Sequence, residues 1–332
     1  MKGALSIALL LSVVSSVSCS PRIMHPGKST QPASLEDDRL IMADGAELPL
    51  RRWEPKAPPV AIVLALHGFN DYSKAFEKAG AFWAENGILT YAYDQRGFGD
   101  APFPSRWHGA SALTDDLASA SRLIRKRHEG APFFLLGESM GGAVIMAATA
   151  NGTLPAVSGL ILSAPAVWSR SIMPGWQKAA LSFFSHTMPG LRVSGGGFGR
   201  KPSDNIEMLK ALSRDPKIIK RTRFDAVYGL VNLMDRALEA APSLSGPTLI
   251  LYGKREGIIP SKARQALENR LPPKPCLIRI EDYESGYHML LRDLEAEIVW
   301  RDILTWLADP TAPLQSRPNN TEKRLACARR LP

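Results

Sequence analysis

The chain has 332 residues, 45% hydrophobic and 22% charged, a globular composition that fills one large domain or two small ones and excludes a disordered or fibrous protein. Its net charge is +9, yet residues 317–332 hold five basic side chains against Glu322, which leaves about +5 elsewhere. No basic stripe with interleaved aromatic residues occurs, so no nucleic-acid partner is expected.

Residues 1–19 begin with Lys2, continue through an apolar run from Ala4 to Val17 and end in Ser18 and Cys19. A charged start, a short apolar centre and a small-residue end predict an export signal; a membrane-spanning helix needs about 20 apolar residues. Cys19 resembles the lipidated cysteine of bacterial lipoproteins, although Ser16 stands where that pattern usually has Leu. The expectation is an exported protein of the cell envelope, held on a membrane surface through Cys19, with soluble release as the alternative. The two remaining cysteines, Cys276 and Cys327, are free to pair in such a compartment. Residues 20–37, rich in Pro, Ser and charge, read as a linker.

From Arg39 the elements follow in order. Arg39 to Met42 and Leu48 to Trp53 flank Asp44-Gly45, a hairpin signal. Val60 to Leu66 is a continuous apolar run, as expected of a strand buried on both faces. Lys74 to Glu85 has helical spacing and stops at Asn86-Gly87. A strand from Ile88 to Tyr93, a helix from Leu113 to His128 and a strand from Phe133 follow, then an Ala-rich helix to Gly152 and a strand from Leu160 to Ser163. Strands alternating with helices predict a mainly parallel sheet covered on both faces.

The alternation stops at Pro165. Residues 166–241 read as a helical, loop-rich insert, a cap over the strand ends. A strand from Thr248 to Tyr252, a helix from Ser261 to Leu271, a strand from Leu277 to Ile280 and a closing helix from Asp293 to Leu307 resume the pattern. The domain is therefore expected to span residues 38–309, with residues 310–332 a disordered basic tail.

The chemistry is carried by Gly137-Glu138-Ser139-Met140-Gly141, placed between a strand and a helix. In that context Gly-x-Ser-x-Gly is a nucleophile elbow: the glycines are small because strand and helix pass close together, and the serine sits on the tight turn. A serine hydroxyl needs a base, itself oriented by an acid. His288, after the last strand, is placed as the base, whereas His25 and His108 precede the elbow or lie off the strand ends, His128 closes a helix and His186 sits in the cap. Glu256 is the one acid following the strand that starts at Thr248, and Asp282 or Glu284 is the alternative. The backbone N–H groups of Phe69 and Met140 are candidates for an oxyanion hole. Trp168, Met173 and Phe183 are candidate substrate contacts in the cap, which is expected to supply apolar walls. The run Gly195 to Gly199 lacks the strand and the Lys-Ser/Thr pair of a phosphate loop, and His67 lacks a second ligand at metal spacing. Neither cofactor nor metal is expected.

These motifs, HGFND at 67–71, YDQRGFG at 93–99, GESMGGA at 137–143, GKREGIIP at 253–260 and GYHMLLRD at 286–293, resemble the α/β-hydrolase superfamily, and within it the monoglyceride lipase and lysophospholipase-like group. The resemblance implies an α/β-hydrolase fold with a helical cap and a serine hydrolase acting on monoacylglycerol- or lysophospholipid-like esters. The family usually has Asp where Glu256 stands and Ser where Asp100 stands; Asp94, Arg96 and Gly97 are expected to build the turn. A proline-releasing aminopeptidase of the same fold and a catalytically retired lipid-binding lipoprotein are the other readings. The sequence leaves oligomeric state open.

Overall fold

A computed structural model describes residues 20–194, 200–273 and 278–316. The expected export signal with Cys19, the glycine run at 195–199, Cys276, Cys327 and most of the tail lie outside the described residues.

Nine strands form one sheet: β1 (Ser34–Leu35), β2 (Arg39–Ile41), β3 (Glu47–Trp53), β4 (Ala61–Leu66), β5 (Ile88–Tyr93), β6 (Phe133–Glu138), β7 (Gly159–Ser163), β10 (Thr248–Gly253) and β11 (Ile278–Tyr283). Their spatial order is β1-β2-β3-β5-β4-β6-β7-β10-β11. The first three strands run antiparallel, and all pairings from β5 through β11 are parallel. This is an α/β-hydrolase sheet. The period-two geometry of β4 explains its unbroken apolar run: Ile62, Leu64 and Leu66 enter one core cluster, and Ala61, Val63 and Ala65 the other.

Helices cover both faces. Glu77–Glu85 (α1) and Ala296–Ala308 (α8) bring Trp83, Ile303 and Trp306 onto one face. Ala110–Arg127 (α2), Met140–Ala150 (α3), Phe224–Ala240 (α6) and Ser261–Glu268 (α7) cover the other. Helix α3 is buried from Met140 to Ala148, which is why it is apolar all round rather than amphipathic.

The insert at 166–241 serves two places. Gly175–Thr187 (α4), Ile206–Arg214 (α5) and a two-residue ribbon, Arg192–Val193 (β8) with Thr222–Arg223 (β9), form the outer part. Helix α6 instead packs on α3 and buries Val231, Leu233, Ala237 and Leu238 in the domain core. The ribbon escaped the sequence because two residues carry no periodicity.

Several boundaries differ from expectation, and four of the differences come with a polar contact that accounts for them. Residues 20–37 are docked rather than free: Met24 donates to Trp107 O and Thr30 to Ala43 O, each at 2.8 Å, and Ser34–Leu35 extends the sheet. The first helix opens as a 3-10 turn, Ser73–Phe76, because the Asp94 carboxylate accepts from both the amide and the hydroxyl of Ser73. The last helix starts at Ala296, since Asp293 is extended and its carboxylate holds Tyr287 N–H and the Ser203 hydroxyl. Residues 310–316 pack onto the domain: Leu314 is fully buried and Ala312 O accepts from Arg279 at 2.6 Å.

Arg96 does more than shape its turn. Its guanidinium lies between Asp44 at 2.7 Å and Asp116 at 2.6 Å, all three buried, joining the hairpin turn to β5 and α2. The Arg96 hydrogen bonds hold the Asp44 carboxyl down at about 2. His108 lies close by. Burial, and then the charge of Arg96, push its ring down to about 4. An unfolded histidine titrates near about 6.5, so between those values the unfolded chain binds the extra proton. Stability is expected to fall as pH drops from about 6.5 to about 4 through this group, and His108→Gln to flatten that part of the melting-temperature profile. An equally steep profile in the variant would contradict this.

Candidate active site

The elbow is built where β6 meets α3. Ser139 holds φ +52° and ψ −110°, a conformation that costs roughly 1–3 kcal/mol in a side-chain-bearing residue. Its neighbours impose it: Ser139 N–H donates to Ser163 O at 2.9 Å, and Ser139 O accepts from Ala143 at 3.1 Å and Ala166 at 2.9 Å. The flanking glycines are obligatory. A Cβ on Gly141 would stand 2.1 Å from Leu66 O, and one on Gly137 would stand 2.4 Å from Gly142 N. The serine is thereby presented at the carboxyl edge of the parallel strands, where loops from several strands converge.

Two of those loops bring Glu256 and His288 into contact. Gly253 and Gly286 meet backbone to backbone, so closely that a Cβ on Gly253 would lie 2.1 Å from Gly286 O. Lys254 N–H donates to Tyr283 O and Arg255 N–H to Gly286 O. With the loops so joined, His288 Nδ1 lies 2.7 Å from Glu256 Oε2, and both side chains are buried. Glu256 Oε1 accepts from the amides of Ile258 and Ile259 at 2.6 and 3.0 Å. Burial alone would raise this carboxyl, but the hydrogen bonds from His288 and the two amides together hold it below the ordinary glutamate value. An ionised carboxylate on Nδ1–H fixes the tautomer in which Nε2 is an acceptor, the form a general base requires. The alternative acids turn elsewhere: Asp282 pairs with Arg264, and Glu284 with Lys254.

The loop after β4 closes the third side. A Cβ on Gly68 would lie 3.5 Å from Ser139 Cβ, so this loop runs directly beside the serine. Phe69 packs edge-on against Phe98 and Trp107, and Asn70 donates to Thr222 at 2.6 Å, linking the loop to the cap. Met140 is the first residue of α3, so its N–H has no acceptor within the helix. His67 shapes the loop: Nδ1–H donates to Gly68 O at 2.8 Å and Nε2 accepts from Gln95 N–H at 3.0 Å, which occupies both ring nitrogens.

Of the candidate substrate contacts, Trp168 and Met173 are half-buried against the domain core. Phe183 is 57% exposed on the outer side of α4, touching Phe184. The helical spacing of the cap did not reveal which of its faces looks inward.

The most informative group went unread in the sequence. Arg292 donates to Asp71 at 2.7 Å and to Glu138 at 3.0 Å, and all three are buried. Asp71 belongs to the loop after β4, Glu138 precedes Ser139, and Arg292 lies four residues after His288, at the end of a 3-10 turn. This cluster ties together the three loops that bear the site. Glu138 and Asp71 lay in plain view inside two motifs, but nothing local marks two acids and an arginine so far apart in sequence as partners.

Residues 57–295 match the family described as Serine aminopeptidase, S33. The chain belongs to that family. Among similar proteins, the monoglyceride lipase of Rattus norvegicus is 26% identical over 307 residues, covering 90% of this chain and 99% of the relative. The monoacylglycerol lipase of Mycolicibacterium smegmatis is 24% identical, with 77% and 90% covered. Among solved structures, the Paleococcus ferrophilus monoacylglycerol lipase is 25% identical with a TM-score of 0.66, covering 79% of this chain and 98% of that one. A soluble variant of the Saccharomyces cerevisiae monoglyceride lipase in complex with a substrate analogue shares the fold, with 19% identity and a TM-score of 0.69.

Proposed function

We propose that this S33-family chain is a serine hydrolase that cleaves carboxylic esters of single-chain lipids, monoacylglycerols or lysophospholipids, through an acyl-enzyme on Ser139. The observation that carries the reading is the 2.7 Å contact of His288 Nδ1 with Glu256 on loops bound to the strained Ser139 elbow. In the reaction His288 Nε2 takes the Ser139 proton as Oγ adds to the ester carbonyl, and Glu256 stabilises the imidazolium. The amides of Phe69 and Met140 receive the oxyanion, each worth roughly 3 kcal/mol. Collapse expels the alcohol, which takes the proton from His288. Water, deprotonated by the same ring, then releases the carboxylic acid and returns the proton to Ser139. The resemblance to monoglyceride lipases supports a lipid ester.

A fluorophosphonate probe is expected to label the protein at Ser139, read from the modified peptide by mass spectrometry. Label on another residue, or none, would sink the assignment. The family's description favours an aminopeptidase as the second reading, and release of Pro from a Pro-anilide tests it. Binding a substrate amino terminus calls for unpaired acids in the cap, whereas residues 166–223 hold eleven Lys and Arg against three Asp and Glu.

Export and anchoring at Cys19 belong to the same proposal: an envelope location puts the site beside lipid. The mass of the mature amino terminus separates acylated Cys19 from simple release.

A further inference from the structure

The chain's positive charge is concentrated in the first part of the insert and in the carboxyl-terminal tail. Residues 166–223 carry a net of eight charges and residues 317–332 a net of four, so with nine in total the rest of the chain is slightly acidic. Within that stretch, Arg200 lies over the Trp168 ring at 5.8 Å and Lys201 over the Tyr287 ring at 5.5 Å; Arg255, from the acid's own loop, faces the same Tyr287 ring at 5.8 Å. Among the described residues, none of these three cations forms an ion pair. The nearest acids are partly engaged or remote: Asp204 accepts from Leu294 N–H, and Asp204 and Glu295 act on Arg255 only through space.

Their position is set by the active-site loops. Tyr287 precedes His288 and Arg255 precedes Glu256. Pro202 O accepts from the amide of Met289, the residue after His288, at 2.9 Å, which lays Arg200 and Lys201 along the base's loop. Trp168 follows Ala166, whose amide donates to Ser139 O. Each cation is thus anchored within a few residues of Ser139, Glu256 or His288. Aromatic faces hold the Arg200 and Lys201 heads in place, and Arg255 is tied to the Tyr287 side chain by a hydrogen bond as well, an arrangement that still turns N–H groups of all three toward solvent.

We infer that Arg200, Lys201 and Arg255 form a receiving site for an anionic head group, so that the preferred substrates are acyl esters bearing a phosphate a few bonds from the ester, such as monoacylglycerol phosphates, over neutral monoacylglycerols. This rests on the ester-hydrolase reading and narrows it. A phosphate monoester carries about −1.5 to −2 charges at pH 7 with three acceptor oxygens, and Arg meets it through paired N–H groups. A neutral glycerol head gains nothing from the three cations.

The test uses the full-length protein with 1-octanoylglycerol 3-phosphate and 1-octanoylglycerol, both monomeric below their aggregation limits. The wild type is expected to show the higher kcat/KM on the phosphate. The triple substitution Arg200→Gln, Lys201→Gln, Arg255→Gln is expected to lower the ratio of the two kcat/KM values about tenfold, the effect of two partly exposed charge pairs. Raising KCl from about 0.05 to about 0.5 M is expected to lower the same ratio in the wild type and not in the variant, a screening response that a misfolded loop does not produce. A wild-type ratio at or below one, or a ratio untouched by the substitutions, overturns the inference. So does a preference seen only on vesicles, which assigns the charge to a bilayer surface. Failure of the wild type to hydrolyse either ester, with no fluorophosphonate label, removes the hydrolase reading itself.

Discussion

Ser139→Ala is expected to lower kcat on a single-chain ester by about 10⁶ with an unchanged melting temperature, since in the proposed mechanism its hydroxyl is the nucleophile. Groups that act as one unit lose activity non-additively, so His288→Ala falls equally far and the double variant no further. Glu256→Gln is the sharper experiment. The Gln carbonyl oxygen can still accept from the amides of Ile258 and Ile259, so the loop keeps its shape. Its NH₂ group then faces His288 Nδ1, a donor where an acceptor stood at 2.7 Å. The ring must switch tautomer, Nε2 acquires the hydrogen, and it can no longer take the serine proton. The expected loss is about 10⁴ in kcat with little change in KM. Wild-type kcat in Glu256→Gln would remove Glu256 from the mechanism and reopen Asp282 and Glu284.

Arg292→Met should lose both stability and turnover. Removing the guanidinium strands two buried carboxylates, Asp71 and Glu138, in surroundings that do not solvate them. Breaking a buried pair in this way costs about 3–5 kcal/mol, measurable by urea denaturation. The kinetic loss has a different origin. The three carboxylate and guanidinium groups join the loops bearing Phe69, Ser139 and His288, and a displacement near 1 Å costs about 10²-fold in rate. The triple variant Asp71→Asn, Glu138→Gln, Arg292→Met removes the stranded charge and is expected to recover stability without recovering kcat. Restored kcat alongside restored stability would reduce the cluster to a fold element and deny it a positioning role. Arg292→Lys keeps the charge but loses the fork that reaches both acids, and is expected to fall between wild type and Met.

The local code was legible wherever a single segment decides the outcome. The double-sided apolar run of β4, the strand-to-helix change around Ser139 and the Gly pairs that mark turns all report on neighbours a few residues away. The elbow glycines announce their role because no other residue fits between β6 and α3. The cap was legible only as an interruption. Its helices are amphipathic toward surroundings that the segment does not contain, and so α6 joined the core while Phe183 faced outward.

By itself, the sequence determined the α/β-hydrolase sheet, its chain order, and Ser139, Glu256 and His288 as residues of the right chemistry after β6, β10 and β11. Only the tertiary structure decided that Glu256 rather than Asp282 meets His288, that Arg292 binds the three loops together, and that the segment after Arg200 and Lys201 is bonded to the loop bearing His288. The physical reason is one of range. Backbone preference and hydrophobic period act over a few residues and are written in consecutive letters, whereas a hydrogen bond or a buried charge pair depends on which distant segments the sheet brings within about 3 Å.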